Sequence, residues 1–184
     1  MPLLAWGETL RRARARRRAL RRRAAWLAGG IAALGLTIAA PPRPRIIWNA
    51  SPSAPIGLYR VAAPDDVAPG DMVIARGPER YRGLAAARGY LPATVPLVKR
   101  VAGAAGDEVC ALDDAIFVNR HMIARRRAVD AKGRTMPWWE GCERLRGRQL
   151  FLLMEDSAAS FDGRYFGLTS GADVVGKAHL LWAR

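Results

Sequence analysis

The sequence predicts a mainly β domain carried on an N-terminal helix that crosses a membrane. Short β-branched and aromatic runs separated by Gly, Pro, Asp and Asn recur from Gly57 to Trp182. They show no regular alternation with helical segments, and a charge-free stretch directly follows a run of arginines near the start.

That basic arm is residues 1–23, where nine arginines (11, 12, 14, 16, 17, 18, 21, 22 and 23) face Glu8 alone. The arm carries +8 of the formal +14 of the 184-residue chain. A basic tail by itself suits nucleic acid or acidic lipid equally. The next stretch, AAWLAGGIAALGLTIAA at residues 24–40, runs 17 residues without a charge and is at the lower limit for crossing about 30 Å of hydrocarbon. Arginines immediately before such a stretch are what the positive-inside rule places in the cytoplasm, so 24–40 is expected to be a single-pass inner-membrane anchor, with residues 41–184 periplasmic. A cleaved leader has the same layout, and Ala39 and Ala40 are small enough for a cleavage site, but Pro41 and Pro42 oppose cutting beside them.

Prolines in PPRPR, 41–45, block the helix from continuing, and the run IIW leads into NASPSAPIGLYRV. GLYRV starts one strand, and APGDMVIAR, 68–76, is a Pro-Gly turn followed by another. Residues 79–92 have helix-forming content that stops near Gly89 and Pro92, and VPLVKRVAG then returns to strand. GDEVCAL, AIFVN and HMIA read as short strands, DAKGRTMPWWEG as a long loop, and FLLM and VVGKAHLLW as the closing strands. Cys110 and Cys142 both fall beyond the anchor, where an oxidising compartment favours a disulfide. Spacing alone leaves a bridge and two buried thiols equally open.

For chemistry, a serine hydroxyl needs a base within hydrogen-bond reach. The two histidines, His121 beside a turn and His179 in the closing strand, lie in no Gly-x-Ser-x-Gly setting. A lysine serves instead if burial favours its neutral amine. Strand alternation in Val95–Val101 puts Leu97, Lys99 and Val101 on one face and Val98 and Arg100 on the other, so Lys99 would point inward. Taken alone, that pattern fits a solvated surface lysine better.

Three segments taken in order change the balance: Ser51-Pro52-Ser53-Ala54-Pro55-Ile56-Gly57-Leu58-Tyr59; Lys99-Arg100-Val101-Ala102-Gly103 with Gly106-Asp107; and Ser160-Phe161-Asp162-Gly163-Arg164-Tyr165-Phe166-Gly167. They resemble the boxes of type I signal peptidases. The short serine box and the Ser-Phe-Asp-Gly-Arg-Tyr-Phe-Gly segment are similar to the conjugative-transfer TraF branch rather than to housekeeping leader peptidase. The resemblance runs from about Asn49 to Trp182. It implies Ser53 as nucleophile, Lys99 as general base, Ser51 as an oxyanion-stabilising hydroxyl beside the Ser53 N–H, and Ser160 as the group orienting the lysine. It also implies a supporting charged pair of Asp162 and Arg164, with Asp162 as a third catalytic member. Singly, Ser51 and Ser53 read equally well as turn residues around Pro52, and Asp162-Gly163 as a turn dipeptide. Ala54 departs from the bulkier methionine usual in the family, and MEDSAAS, 154–160, lacks the Gly-Asp-Asn start of the housekeeping enzymes.

The resemblance therefore implies a signal-peptidase-like β domain that cleaves exported precursors. The implied partners are a leader-bearing substrate such as a conjugative pilin, the inner membrane, and a conjugation or secretion apparatus. The acyl group on Ser53 would pass to water or to the substrate's own amine, the second giving a cyclic product. No His, Cys, Asp and Glu cluster has metal-ligand spacing and no glycine-rich loop opens a helix, so no cofactor is expected. No nucleic-acid partner is expected either; the rival from another class is a membrane-tethered DNA-binding subunit working through the arginine arm. Within the enzyme class the rival is a general leader peptidase.

Overall fold

The computed structural model describes residues 2–39 and 44–184. Ala40, the last residue of the expected anchor, and most of the PPRPR segment lie outside the described residues. The chain divides into two units, Met1–Arg43 and Pro44–Arg184.

In the first unit, arm and apolar stretch form one helix, α1 (Pro2–Ala39). Among the described residues no helix is long and apolar enough to cross a membrane. The helix expected there exists and runs, among the described residues, to Ala39. Ala, Gly and Thr fill most of 24–39, and the arginines run up to its first residue.

The second unit is the antiparallel β domain. Its strands are β1 (Ile46–Asn49), β2 (Gly57–Ala62), β3 (Met72–Ala75), β4 (Leu97–Gly103), β5 (Glu108–Leu112), β6 (Ala115–Val118), β7 (His121–Arg125), β8 (Gly141–Arg144), β9 (Phe151–Leu153) and β10 (Val174–Ala183). Six form one sheet in the order β1-β2-β10-β3-β4-β9, and four form a second in the order β7-β6-β5-β8. Helix α2 (Glu79–Ala87) ends where the sequence places its stop: Arg88 caps it and Gly89 takes a positive φ of 71°. A one-turn helix α3 (Gly163–Phe166) follows β9.

Two strands go beyond the sequence expectation. β1 pairs with β2 from Ile46↔Arg60 to Asn49↔Gly57, and β8 pairs with β5 where the expected loop ends, sharing only Gly141 with it. In β8 the sequence Gly-Cys-Glu-Arg carries no apolar alternation, and pairing supplies the order that its side chains do not. Cys110 and Cys142 sit directly opposite each other in that pairing and form a disulfide, with Cα atoms 4.0 Å apart. That resolves the question left open by their spacing.

One core cluster joins the sheets, packing Val109, Ala111 and Ile116 of the small sheet against Phe151 and Leu153 of β9. Another, of Ala54, Tyr59, Ile74, Val98 and Met154, lies beneath the serine segment. Each fully buried large side chain in these clusters contributes roughly 1.5–3 kcal/mol. β4 therefore has cover on both faces: Val98 packs with Ile74, and Val101 with Val73 and Leu152. Of the alternation expected there, Arg100 does point to solvent, but Val98 is buried beside Lys99.

Candidate active site

The serine segment is a tight turn between β1 and β2, and Asn49 holds it. The Asn49 Nδ2 donates to the carbonyls of Ser51, Ala54 and Pro55 at 3.0, 3.2 and 3.0 Å, while its Oδ1 accepts from the Ser51 N–H at 3.1 Å. Tyr59 adds a bond from its hydroxyl to the Pro55 carbonyl at 2.7 Å. A buried side-chain amide that satisfies four turn groups fixes where the next hydroxyl points. The sequence contains the signal, an Asn at a strand end two residues before Ser51-Pro52, which is a residue type that bonds backbone a few positions on.

The turn delivers Ser53 to Lys99. Lys99 Nζ lies 2.7 Å from Ser53 Oγ and 2.7 Å from Ser160 Oγ, and the lysine is 2% exposed. Burial pushes its amine below the ordinary lysine value, to about 8, with the Asp162 carboxylate pulling the other way and Arg164 assisting burial. Ser51 Oγ is 3.0 Å from Ser53 Oγ and accepts from the Ser53 N–H at 3.5 Å. In this arrangement the Ser51 hydroxyl is engaged with Ser53 itself rather than turned to the space where an oxyanion would form.

Asp162 and Arg164 are both buried and form a closed ion pair. Arg164 Nε donates to Asp162 Oδ1 at 2.8 Å, and Arg164 Nη2 reaches Oδ2 at 3.2 Å and the Met154 carbonyl at 2.7 Å. Asp162 also accepts from the Met154 N–H at 3.1 Å and caps α3 through the Arg164 N–H. Neither residue is in hydrogen-bond contact with Ser53 or Lys99. The pair ties β9 to α3, and so sets the position of Ser160 two residues before it. Gly163 is required between them, because a Cβ there would lie 2.7 Å from the Leu152 carbonyl oxygen. Arg164 Nη1 also donates to the Arg125 carbonyl, and Tyr165 Oη accepts from the Arg127 N–H, which docks the small sheet against this segment.

All six sequence-derived residues thus fall within one neighbourhood: Ser51, Ser53, Lys99 and Ser160 in a hydrogen-bonded chain, with Asp162 and Arg164 behind it. Ser51, Ser53 and Lys99 line a cleft of about 670 Å³ that has a further wall of residues 88–92, 127, 129–132, 134 and 136. That wall escapes a reading of the sequence, because its residues carry no motif and converge only through the turn of Asp130. The Asp130 carboxylate accepts from Tyr90 Oη at 2.5 Å, from Arg134 Nε at 2.7 Å and from the N–H groups of Lys132 and Arg134. The Tyr90 hydrogen bond, followed by those from Arg134 and the backbone, holds that carboxyl well below the usual range.

The model of the signal peptidase family, peptidase S26, matches residues 19–183, and the chain belongs to this family. Within it the chain is of the TraF type. Two plasmid transfer proteins TraF of Escherichia coli are each 34% identical to it, one over 139 residues (69% of this chain, 77% of the relative) and one over 131 (65% and 72%). A solved signal peptidase I of Enterococcus faecalis aligns at 18% identity and a TM-score of 0.33, over 60% of this chain and 94% of that one.

Proposed function

We propose that this chain is a serine endopeptidase that processes exported precursor proteins through an acyl-enzyme on Ser53, with Lys99 as general base. The observation that carries the reading is the buried Lys99 amine 2.7 Å from Ser53 Oγ. With its proton affinity lowered to about 8, about one lysine in ten is neutral at pH 7, against roughly one in two thousand five hundred for an ordinary lysine.

In the first step the neutral Lys99 amine takes the Ser53 hydroxyl proton as Oγ attacks the scissile carbonyl. The resulting oxyanion accepts from the Ser53 N–H and, once it turns away from Ser53 Oγ, from the Ser51 hydroxyl. Such donors contribute about 3–4 kcal/mol each when preorganised. Lys99, now charged, gives its proton to the departing amine as the C–N bond breaks, leaving an ester on Ser53. Water, or the substrate's own terminal amine, then attacks that ester with Lys99 again accepting the proton, and the ester C–O bond breaks as Lys99 returns that proton to Ser53 Oγ, so the product is linear or cyclic. Ser160 orients the amine throughout, and Asp162 with Arg164 holds Ser160 in place and tunes the charge on Lys99.

Kinship with plasmid transfer proteins supports a substrate from a conjugation apparatus, and a pilin precursor is the candidate. The arginine arm and the exposed Trp26, Leu27, Ile31, Leu34, Leu36 and Ile38 of α1 support attachment to the inner membrane, with the arm cytoplasmic and the β domain periplasmic. Ser53→Ala and Lys99→Ala are each expected to abolish precursor cleavage, whereas His121→Ala and His179→Ala retain it. A precursor cut at the normal rate by folded Lys99→Ala protein refutes the assignment, and the mass of the mature product distinguishes a linear from a cyclic end.

A further inference from the structure

The cleft beside Ser53 has a charge imbalance that the proposed chemistry does not use. Apart from Lys99, the charged side chains lining it are Arg88, Arg127, Lys132, Arg134 and a single carboxylate, Asp130. Asp130 is already matched by Arg134 at 2.7 Å and by the Tyr90 hydroxyl. Arg88 donates to the Thr135 carbonyl and lies against Met136 Sδ, neither of which neutralises it. Among the described residues no carboxylate forms an ion pair with Arg88, Arg127 or Lys132, because the carboxylates that do pair are elsewhere: Asp114 with Arg125, Glu140 with Arg126, Asp162 with Arg164 and Asp71 with Lys177.

Unmatched cations scattered over a basic protein are ordinary. Three on one concave wall are different, because low-dielectric walls concentrate their field on whatever enters. The entrant is a polypeptide: the same cleft is lined by Ile47, Val95, Leu97 and Phe161 together with Ser53, which suits an extended chain with apolar and small side chains. We infer that the wall formed by Arg88, Arg127 and Lys132 is a subsite for an acidic side chain of the substrate, close in sequence to the bond that is cut. Arg127 and Lys132 are exposed and reach the incoming carboxylate directly, whereas Arg88, tethered to the 135–136 backbone, contributes fixed charge. The inference rests on the peptidase reading, since the cleft is a subsite only if Ser53 is where cutting occurs.

The test uses full-length protein in detergent carrying Ser53→Ala, so that binding is read without turnover and independently of any cleavage assay. The probe is a fluorescein-labelled ten-residue peptide of Ala, Ser and Gly containing two adjacent Glu, compared by anisotropy with its Gln counterpart. The arm's arginines attract acidic peptides wherever they bind, so the deciding quantity is how much of the Glu-over-Gln preference is removed by Arg127→Glu with Lys132→Glu. Two partly screened contacts lead us to expect a loss of about tenfold at low salt, fading at about 0.5 M salt. Arg144→Glu with Arg146→Glu, an equal double reversal at exposed residues outside the cleft, should remove much less. Both peptides binding alike, or a cleft reversal that changes the preference no more than Arg144→Glu with Arg146→Glu does, overturns the inference and leaves the Ser53 and Lys99 assignment standing. Loss of the preference at the cleft alone supports the subsite even if Lys99→Ala later proves to cut normally.

Discussion

Replacing Lys99 with Met should abolish cleavage and, unusually for a core substitution, cost little or no stability at neutral pH. A methionine occupies a similar volume without a charge to desolvate. In the folded protein the Lys99 amine titrates at about 8 instead of the ordinary 10.5, so between those pH values folding expels a proton that the unfolded chain would keep. Below pH 8 both states are charged and the full penalty applies; it falls as pH rises from 8 to 10.5 and vanishes above. Integrated over that window, the penalty is about 3 kcal/mol at pH 7 and about 1 kcal/mol at pH 10. Against it stands the Ser160 hydroxyl, 2.7 Å from Nζ and buried, which the methionine leaves unpaired at a cost of about 1–3 kcal/mol. Lys99→Met should therefore be as stable as wild type or more so at pH 7, and less stable at pH 10. The difference between the two proteins should move by about 2–3 kcal/mol across that range. Urea unfolding followed by tryptophan fluorescence at the two pH values measures it. A stability difference that stays constant with pH would mean that Lys99 is not held in a desolvated, proton-releasing site.

Other contacts in the same site set further expectations. Asn49→Ala removes four hydrogen bonds from the serine turn and should lower kcat at least about tenfold with little change in KM, since it displaces Ser53 rather than the cleft wall; an unchanged kcat would remove Asn49 from the positioning role. Asp162→Asn removes the carboxylate that raises the Lys99 proton affinity and leaves Arg164 beside it, so the rising limb of activity should move to lower pH in whatever fraction folds; a shift to higher pH would contradict that electrostatic picture. Reducing the Cys110–Cys142 bond, which closes a separation of 32 residues, should destabilise the β domain by about 3–4 kcal/mol, read as a lower unfolding midpoint in reductant that Cys110→Ser with Cys142→Ser reproduces.

Much of this site is legible in the sequence because its parts are contiguous. Ser51 and Ser53 share a turn, Ser160, Asp162 and Arg164 share a segment, and Lys99 is singled out by its box between those two, although its strand pattern alone fits a solvated lysine better. The alternation rule is of limited use for Lys99, because β4 is covered on both faces and Val98 is hidden like Val101. Order imposed from outside a segment is what the sequence conceals. β8 is a strand because β5 and the disulfide hold it, and Asp130 gathers a cleft wall through two backbone N–H groups, the distant Tyr90 hydroxyl and the Arg134 guanidinium, which share no motif. The expected anchor at 24–40 is legible as a helix, and its membrane crossing rests on the arginines before a charge-free stretch, since among the described residues no helix is long and apolar enough to span.

The central claim, a Ser53 nucleophile activated by neutral Lys99, is tested most directly by capturing the acyl-enzyme and timing its formation against pH. Full-length protein is mixed with a leader-bearing precursor, quenched in acid within a single turnover, digested and mass-analysed. The added acyl mass should map to the peptide containing Ser53. Its rate of formation should rise with pH through a midpoint near 8, and it should be absent from Lys99→Ala protein that is folded by circular dichroism. An adduct on any other residue, or one that forms on Ser53 at the wild-type rate without Lys99, contradicts the claim.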